Sequence, residues 1–80
     1  MSSYRKFIAA ARFVDDGLLN NDYLTVDDIA TRAGINIDEA WQHVERMVRQ
    51  GLVRITNRKM GHLLLEHDAL RFALQQGEIR

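Results

Sequence analysis

Gly34-Ile35-Asn36 and Gly51-Leu52-Val53-Arg54-Ile55-Thr56-Asn57-Arg58-Lys59-Met60-Gly61 decide how this chain of 80 residues is read. Between them, Ala40, Val44 and Met47 recur three or four residues apart, the spacing of one face of a helix. Asn36 is a good helix N-cap and Glu39 stands three residues on, completing a capping box with Asn in the Ser/Thr role. Gly34 can take a positive φ at a turn before this helix, and Gly51 can end it. Beyond Gly51, Val53 and Ile55 alternate with Arg54 and Thr56 as in a half-buried strand. Leu63 and Leu65 return on one face after an Asn57–Gly61 turn. The order is helix, turn, helix, hairpin.

Working outward, Val26 to Ala33 reads as the helix before Gly34, with Thr25 as its cap and Asp28 in a weaker version of the capping box. A first helix is expected from a Ser3 cap to about Asp16, with Gly17 as its stop. Tyr4, Phe7, Ile8, Ala11 and Val14 share its core face, whereas Ala9, Ala10 and Phe13 form a second apolar strip near the opposite side. Leu18 to Tyr23 reads as a turn. Asp68 is expected to cap a last short helix over 69–76, which is too short to stand alone in water and should dock on the first helix. At 100° per residue, the helix after Asn36 puts Ile37, Ala40, Trp41, Val44, Met47 and Val48 on a broad apolar face. Asp38, Gln42, Glu45, Arg46 and Arg49 fall on the other.

The length fits one small domain over 1–80, of a size often supported by oligomerisation. Without cysteine there is neither a disulfide nor a thiolate metal site. No apolar run approaches the ~20 residues of a membrane span and no signal peptide is visible, so a cytoplasmic protein is expected. Net charge is zero but unevenly spread. Residues 1–45 carry four basic and eight acidic side chains; residues 46–80 carry seven basic and three acidic. Arg46, Arg49, Arg54, Arg58 and Lys59 form an acid-free run.

The layout from Leu24 to about Glu66 resembles the winged helix-turn-helix family of DNA-binding regulators, closest to the small bacterial MarR and ArsR types and similar phage and plasmid regulators. The resemblance rests on Thr25, Ile29 and Ala30, on Gly34-Ile35-Asn36, on Ala40, Val44 and Met47, and on Gly51-Leu52-Val53. It implies a mainly α fold with a small β-hairpin wing (α+β): helix-turn-helix over about 25–50, wing over about 52–66, and an extra C-terminal helix. It also implies double-stranded DNA as partner, with the helix after Asn36 as the recognition helix. Family members usually carry Ser, Thr, Arg or Lys at the start of that helix; this chain has Ile37, Asp38 and Glu39. Carboxylates there suit the positive helix N-terminus and can accept from cytosine N4, but they repel phosphates.

Gln42 and Arg46, one turn apart, have the donor and acceptor patterns that read adenine and guanine. Arg49 near the helix end, and Arg58 and Lys59 at the wing tip, suit phosphate or minor-groove contact. One recognition helix reads few base pairs, so a homodimer on two half-sites is expected, with Phe13 and Phe72 at the interface. The rival reading is a winged-helix module that binds a protein without DNA, supported by zero net charge, by Asp38-Glu39 and by Trp41, a residue type common at interface anchors. His62, Glu66 and His67 lack a fourth ligand, so no metal or other cofactor is expected. No phosphate-binding glycine loop is visible, nor a Ser–His–Asp grouping that spacing would bring together, and no enzyme is expected.

Overall fold

The computed structural model describes residues 2–19 and 22–66. In chain order its elements are α1 (Ser3–Asp16), β1 (Leu24–Thr25), α2 (Val26–Ala33), α3 (Ile37–Arg49), β2 (Val53–Asn57) and β3 (His62–Leu65). The three strands form one antiparallel sheet in the order β1-β3-β2. The sequence foresaw the hairpin β2–β3. The two-residue β1, pairing Leu24 with Leu63 and Thr25 with His62, is an addition. It is too short to show a period of its own.

Local chemistry sets the helix ends. Thr25 Oγ1 accepts from the Asp28 amide at 3.2 Å and Asn36 Oδ1 accepts from the Glu39 amide at 2.8 Å, as their positions required. On α1 the cap is Ser2, whose Oγ accepts from the Arg5 amide at 3.2 Å, and not Ser3. Both serines stand ahead of the same apolar period, and the sequence does not separate them. Gly34 has φ 72°, and the Ile35 amide donates back to the Ala30 carbonyl, which closes α2 and sends the chain sharply into α3. The same geometry recurs after α3, where Gly51 has φ 73° and the Leu52 amide reaches the Met47 carbonyl.

The core lies where α1, α2, α3 and the inner face of the sheet meet. Phe7, Ile8, Ile29, Val44 and Met47 are fully enclosed there, each contributing about 1.5–3 kcal/mol of transfer free energy. Tyr4 and Ala11 line the same face of α1, while Val53, Leu63 and Leu65 come from the sheet. Ala10, expected on the second strip, is buried beside this core. Phe13 on that strip stays 60% exposed. The expected C-terminal helix over 69–76, with Phe72, and also His67 lie outside the described residues. Among the described residues, no helix is long and apolar enough to cross a membrane.

Candidate nucleic-acid interface

The wing is fixed to the helices by its own turn. Asn57 Oδ1 accepts from the Met60 amide at 3.1 Å, and the Gly61 amide donates to the Arg58 carbonyl at 3.2 Å. The Gly61 carbonyl accepts from the Val26 amide at 2.9 Å, one of the donors that the first turn of α2 leaves without a helical partner. Arg58 and Lys59 therefore sit at a tip tied to the start of α2. Strand β2 holds an extra residue, Thr56, between the Ile55–Leu63 and Asn57–His62 pairs, and such a bulge sharpens the twist into the tip.

Four stripes run along α3. Ala40, Val44 and Met47 face the core. Glu39, His43, Arg46 and Gln50 face the start of α1: the Arg46 guanidinium lies 4.0 Å from the Tyr4 ring centroid and the Tyr4 hydroxyl donates to Gln50 Oε1. The Tyr4 phenol is raised above its ordinary pKa by burial, partly opposed by the positive charges of Arg46 and Arg49. Ile37, Trp41 and Val48 form a third stripe. Helical spacing leaves Asp38, Gln42, Glu45 and Arg49 as the outermost stripe, opposite the core residues.

The expected contact residues are thus partly brought together and partly separated. Gln42 and Arg49 are exposed and, among the described residues, have no hydrogen-bond or ion-pair partner. Arg46, expected beside Gln42 on the outward face, is half-buried against Tyr4. Arg58 reaches from the wing to α3, where its Nη1 donates to Glu45 Oε1 at 2.8 Å and its guanidinium lies 5.5 Å from the Trp41 ring centroid. Lys59 remains exposed with no acid partner among the described residues. It lines a cleft of about 210 Å³ with Asp27, Ile37, Trp41 and Met60. Trp41 itself is half-buried against the core and wing. Phe13 borders a groove of about 400 Å³ between α1 and α2, with the Arg32 guanidinium 4.0 Å over its ring.

Sequence spacing missed one grouping. Ser3 Oγ donates to Glu39 Oε1 at 2.8 Å, and His43 Nε2 lies 3.0 Å from the same Oγ. A serine, a histidine and a carboxylate therefore do meet. The arrangement differs from a nucleophile–base pair: with the hydroxyl proton on the Glu39 contact, Ser3 Oγ is left to accept from His43 Nε2 in the tautomer that carries its proton there. The carboxylate is also 3.7 Å from that same Nε2, not placed on the opposite nitrogen where it would orient the ring. The grouping holds α3 against α1. Its available signal was the stripe 39, 43, 46, 50 flanking the core stripe, but nothing in spacing alone said that α1 would lie beside it.

The remaining candidates have structural partners. His62 stacks on Tyr23 with ring centroids 4.1 Å apart, and Glu66 Oε1 pairs with Arg54 Nε at 2.7 Å. No group of three or more potential metal ligands occurs among the described residues.

A capped helix pair joined at a left-handed glycine, followed by a hairpin braced on the second helix, defines a winged helix-turn-helix. Residues 18–54, just under half of the chain, match the family model for winged helix-turn-helix DNA-binding domains. Over that stretch the chain is similar to this class of DNA-binding domain. Neither a curated protein nor a solved structure shows a significant match to it.

Proposed function

We propose that this protein is a sequence-specific DNA-binding transcriptional regulator, acting as a homodimer in the cytoplasm. The observation that carries the reading is the outward stripe of α3: Gln42 and Arg49 are exposed and, among the described residues, uncommitted, on the helix next to the wing whose tip presents Lys59. In a winged helix this is the helix offered to the major groove. Gln42 reads adenine, while Arg49 and Lys59 meet phosphates. Arg46, held on Tyr4, orients α3 on α1 and lends positive charge to its flank. Arg58, paired with Glu45 in the free protein, reaches a phosphate once that pair opens. The exposed Phe13 strip supplies the apolar surface for a second subunit, with Phe72 as its expected companion.

Titration of a labelled duplex at two salt concentrations tests the DNA reading. Salt-sensitive binding is expected, because cations on phosphates release counterions. Failure to bind any duplex at low salt overturns it and leaves the protein-binding module. Sedimentation of wild type and Phe13→Asp tests the dimer. A fall in mass on substitution supports it, and a monomeric wild type rules it out.

A further inference from the structure

Helix α3 carries three carboxylates, and the structure distinguishes them. Glu39 accepts from Ser3 and is turned towards α1. Glu45 accepts from Arg58 of the wing. Asp38 is exposed and, among the described residues, has neither an ion-pair nor a hydrogen-bond partner. It stands on the same outward stripe as Gln42, at the first turn of α3, where the helix dipole supports its charge.

An uncommitted carboxylate on a surface that approaches DNA has a specific chemistry. It only accepts hydrogen bonds. Opposite the O6 and N7 of guanine or the O4 of thymine it is desolvated against other acceptors, which is costly. Opposite a base amino group it is satisfied. Adenine places its N7 acceptor beside N6, which repels the second carboxylate oxygen. Cytosine presents N4–H with no acceptor of its own on that edge.

We infer that Asp38 is a specificity-determining residue that reads a cytosine N4 amino group in the major groove and excludes guanine and thymine at that position. This rests on the DNA-binding reading above. It turns the acidic start of α3 from an obstacle into a filter: Asp38 lowers affinity for most sequences and spares those with a cytosine in register. Gln42 lies four residues, or about 6 Å, further along the helix axis, so its adenine falls one or two base pairs from that cytosine.

Selection from a random duplex pool, read by sequencing, tests the inference with the full chain. Wild type should enrich a half-site with cytosine fixed at one position, preferred about tenfold or more over guanine or thymine. Asp38→Asn should move that preference to adenine, because an amide donates to N7 while accepting from N6. Asp38→Ala should make the position indifferent and tighten binding to unselected duplex. Replacing the selected cytosine by N4-methylcytosine should weaken wild type to the level of a mismatch and leave Asp38→Ala unaffected. A selected site in which no position changes between wild type, Asp38→Asn and Asp38→Ala overturns the inference while leaving DNA binding intact. Enrichment of no sequence, together with no salt-sensitive binding, overturns the DNA reading itself.

Discussion

Replacing Glu45 by Gln should tighten binding to DNA of unselected sequence while making the protein slightly less stable. Glu45 and Arg58 join α3 to the wing tip through a 2.8 Å contact, with side chains 43% and 64% exposed. Pairs this exposed contribute about 0.2–1 kcal/mol. For Arg58 to reach a phosphate the pair must open, so binding bears that cost. Glutamine keeps the length and can still accept from the guanidinium, so the packing over Trp41 is preserved, but the charge attraction is gone. Releasing 0.2–1 kcal/mol corresponds to roughly 1.4- to 5-fold tighter binding, since 1.4 kcal/mol is tenfold. Removing an acid from the outward stripe acts in the same direction. The dependence of log affinity on log salt should steepen by about 0.9 if one more phosphate is neutralised. Thermal stability should fall by roughly 1–8 °C, the shift that the same free energy produces in a domain of this size. Fluorescence anisotropy with a random-sequence duplex at two salt concentrations, beside a thermal melt, reads both effects. Weaker binding by Glu45→Gln at low salt would refute the idea that this carboxylate withholds Arg58.

Lys59→Ala should weaken binding to all duplexes and flatten the salt slope by about 0.9, because Lys59 has no acid partner to release among the described residues. Arg58→Ala should also weaken it, partly by unmasking Glu45, and Glu45→Gln in the same chain should recover part of the loss in the anisotropy titration. Gly34→Ala should destabilise by about 1–2 kcal/mol in urea unfolding: among the described residues, nothing beyond its chain neighbours lies within 4 Å of an added Cβ, so the cost is that of φ 72° alone, and Gly34→Asn should cost less. The Tyr4 phenol, raised by burial, binds its proton more firmly in the folded state. Its contribution to stability is therefore complete below the unfolded phenol value of about 10 and is lost as pH rises through the folded one. Denaturant midpoints between pH 9 and 11.5 should fall more steeply for wild type than for Tyr4→Phe.

Much of the architecture was legible because local rules and the global fold agree. Thr25 and Asn36 cap as their positions demand, Gly34 and Gly51 take positive φ, and Val53, Leu63 and Leu65 fall on one face of the sheet. These are properties of short windows. The site was less legible because it depends on which stripe of α3 meets which neighbour. Periodicity placed Arg46 with Gln42 and Arg49, but Tyr4 of α1, more than forty residues upstream, draws it to one side. The run from Arg46 to Lys59 contains no acid of its own, yet Arg54 and Arg58 each find a carboxylate partner elsewhere in the chain, Glu66 and Glu45, which no local window shows. Ser3 illustrates the same point: its role as a bracket to Glu39 and His43 arises from the crossing of α1 and α3, which no local pattern encodes.

Amide chemical-shift mapping on addition of a short duplex tests most directly that α3 and the wing form a DNA-reading surface. The largest changes should fall at Asp38, Gln42, Glu45 and Arg49 and at Arg58 to Met60, should shrink as salt is raised, and should spare Ala9, Phe13 and Arg32 at the groove between α1 and α2. Changes confined to that groove, or an unaltered spectrum at low salt, would contradict a DNA-binding role for this face.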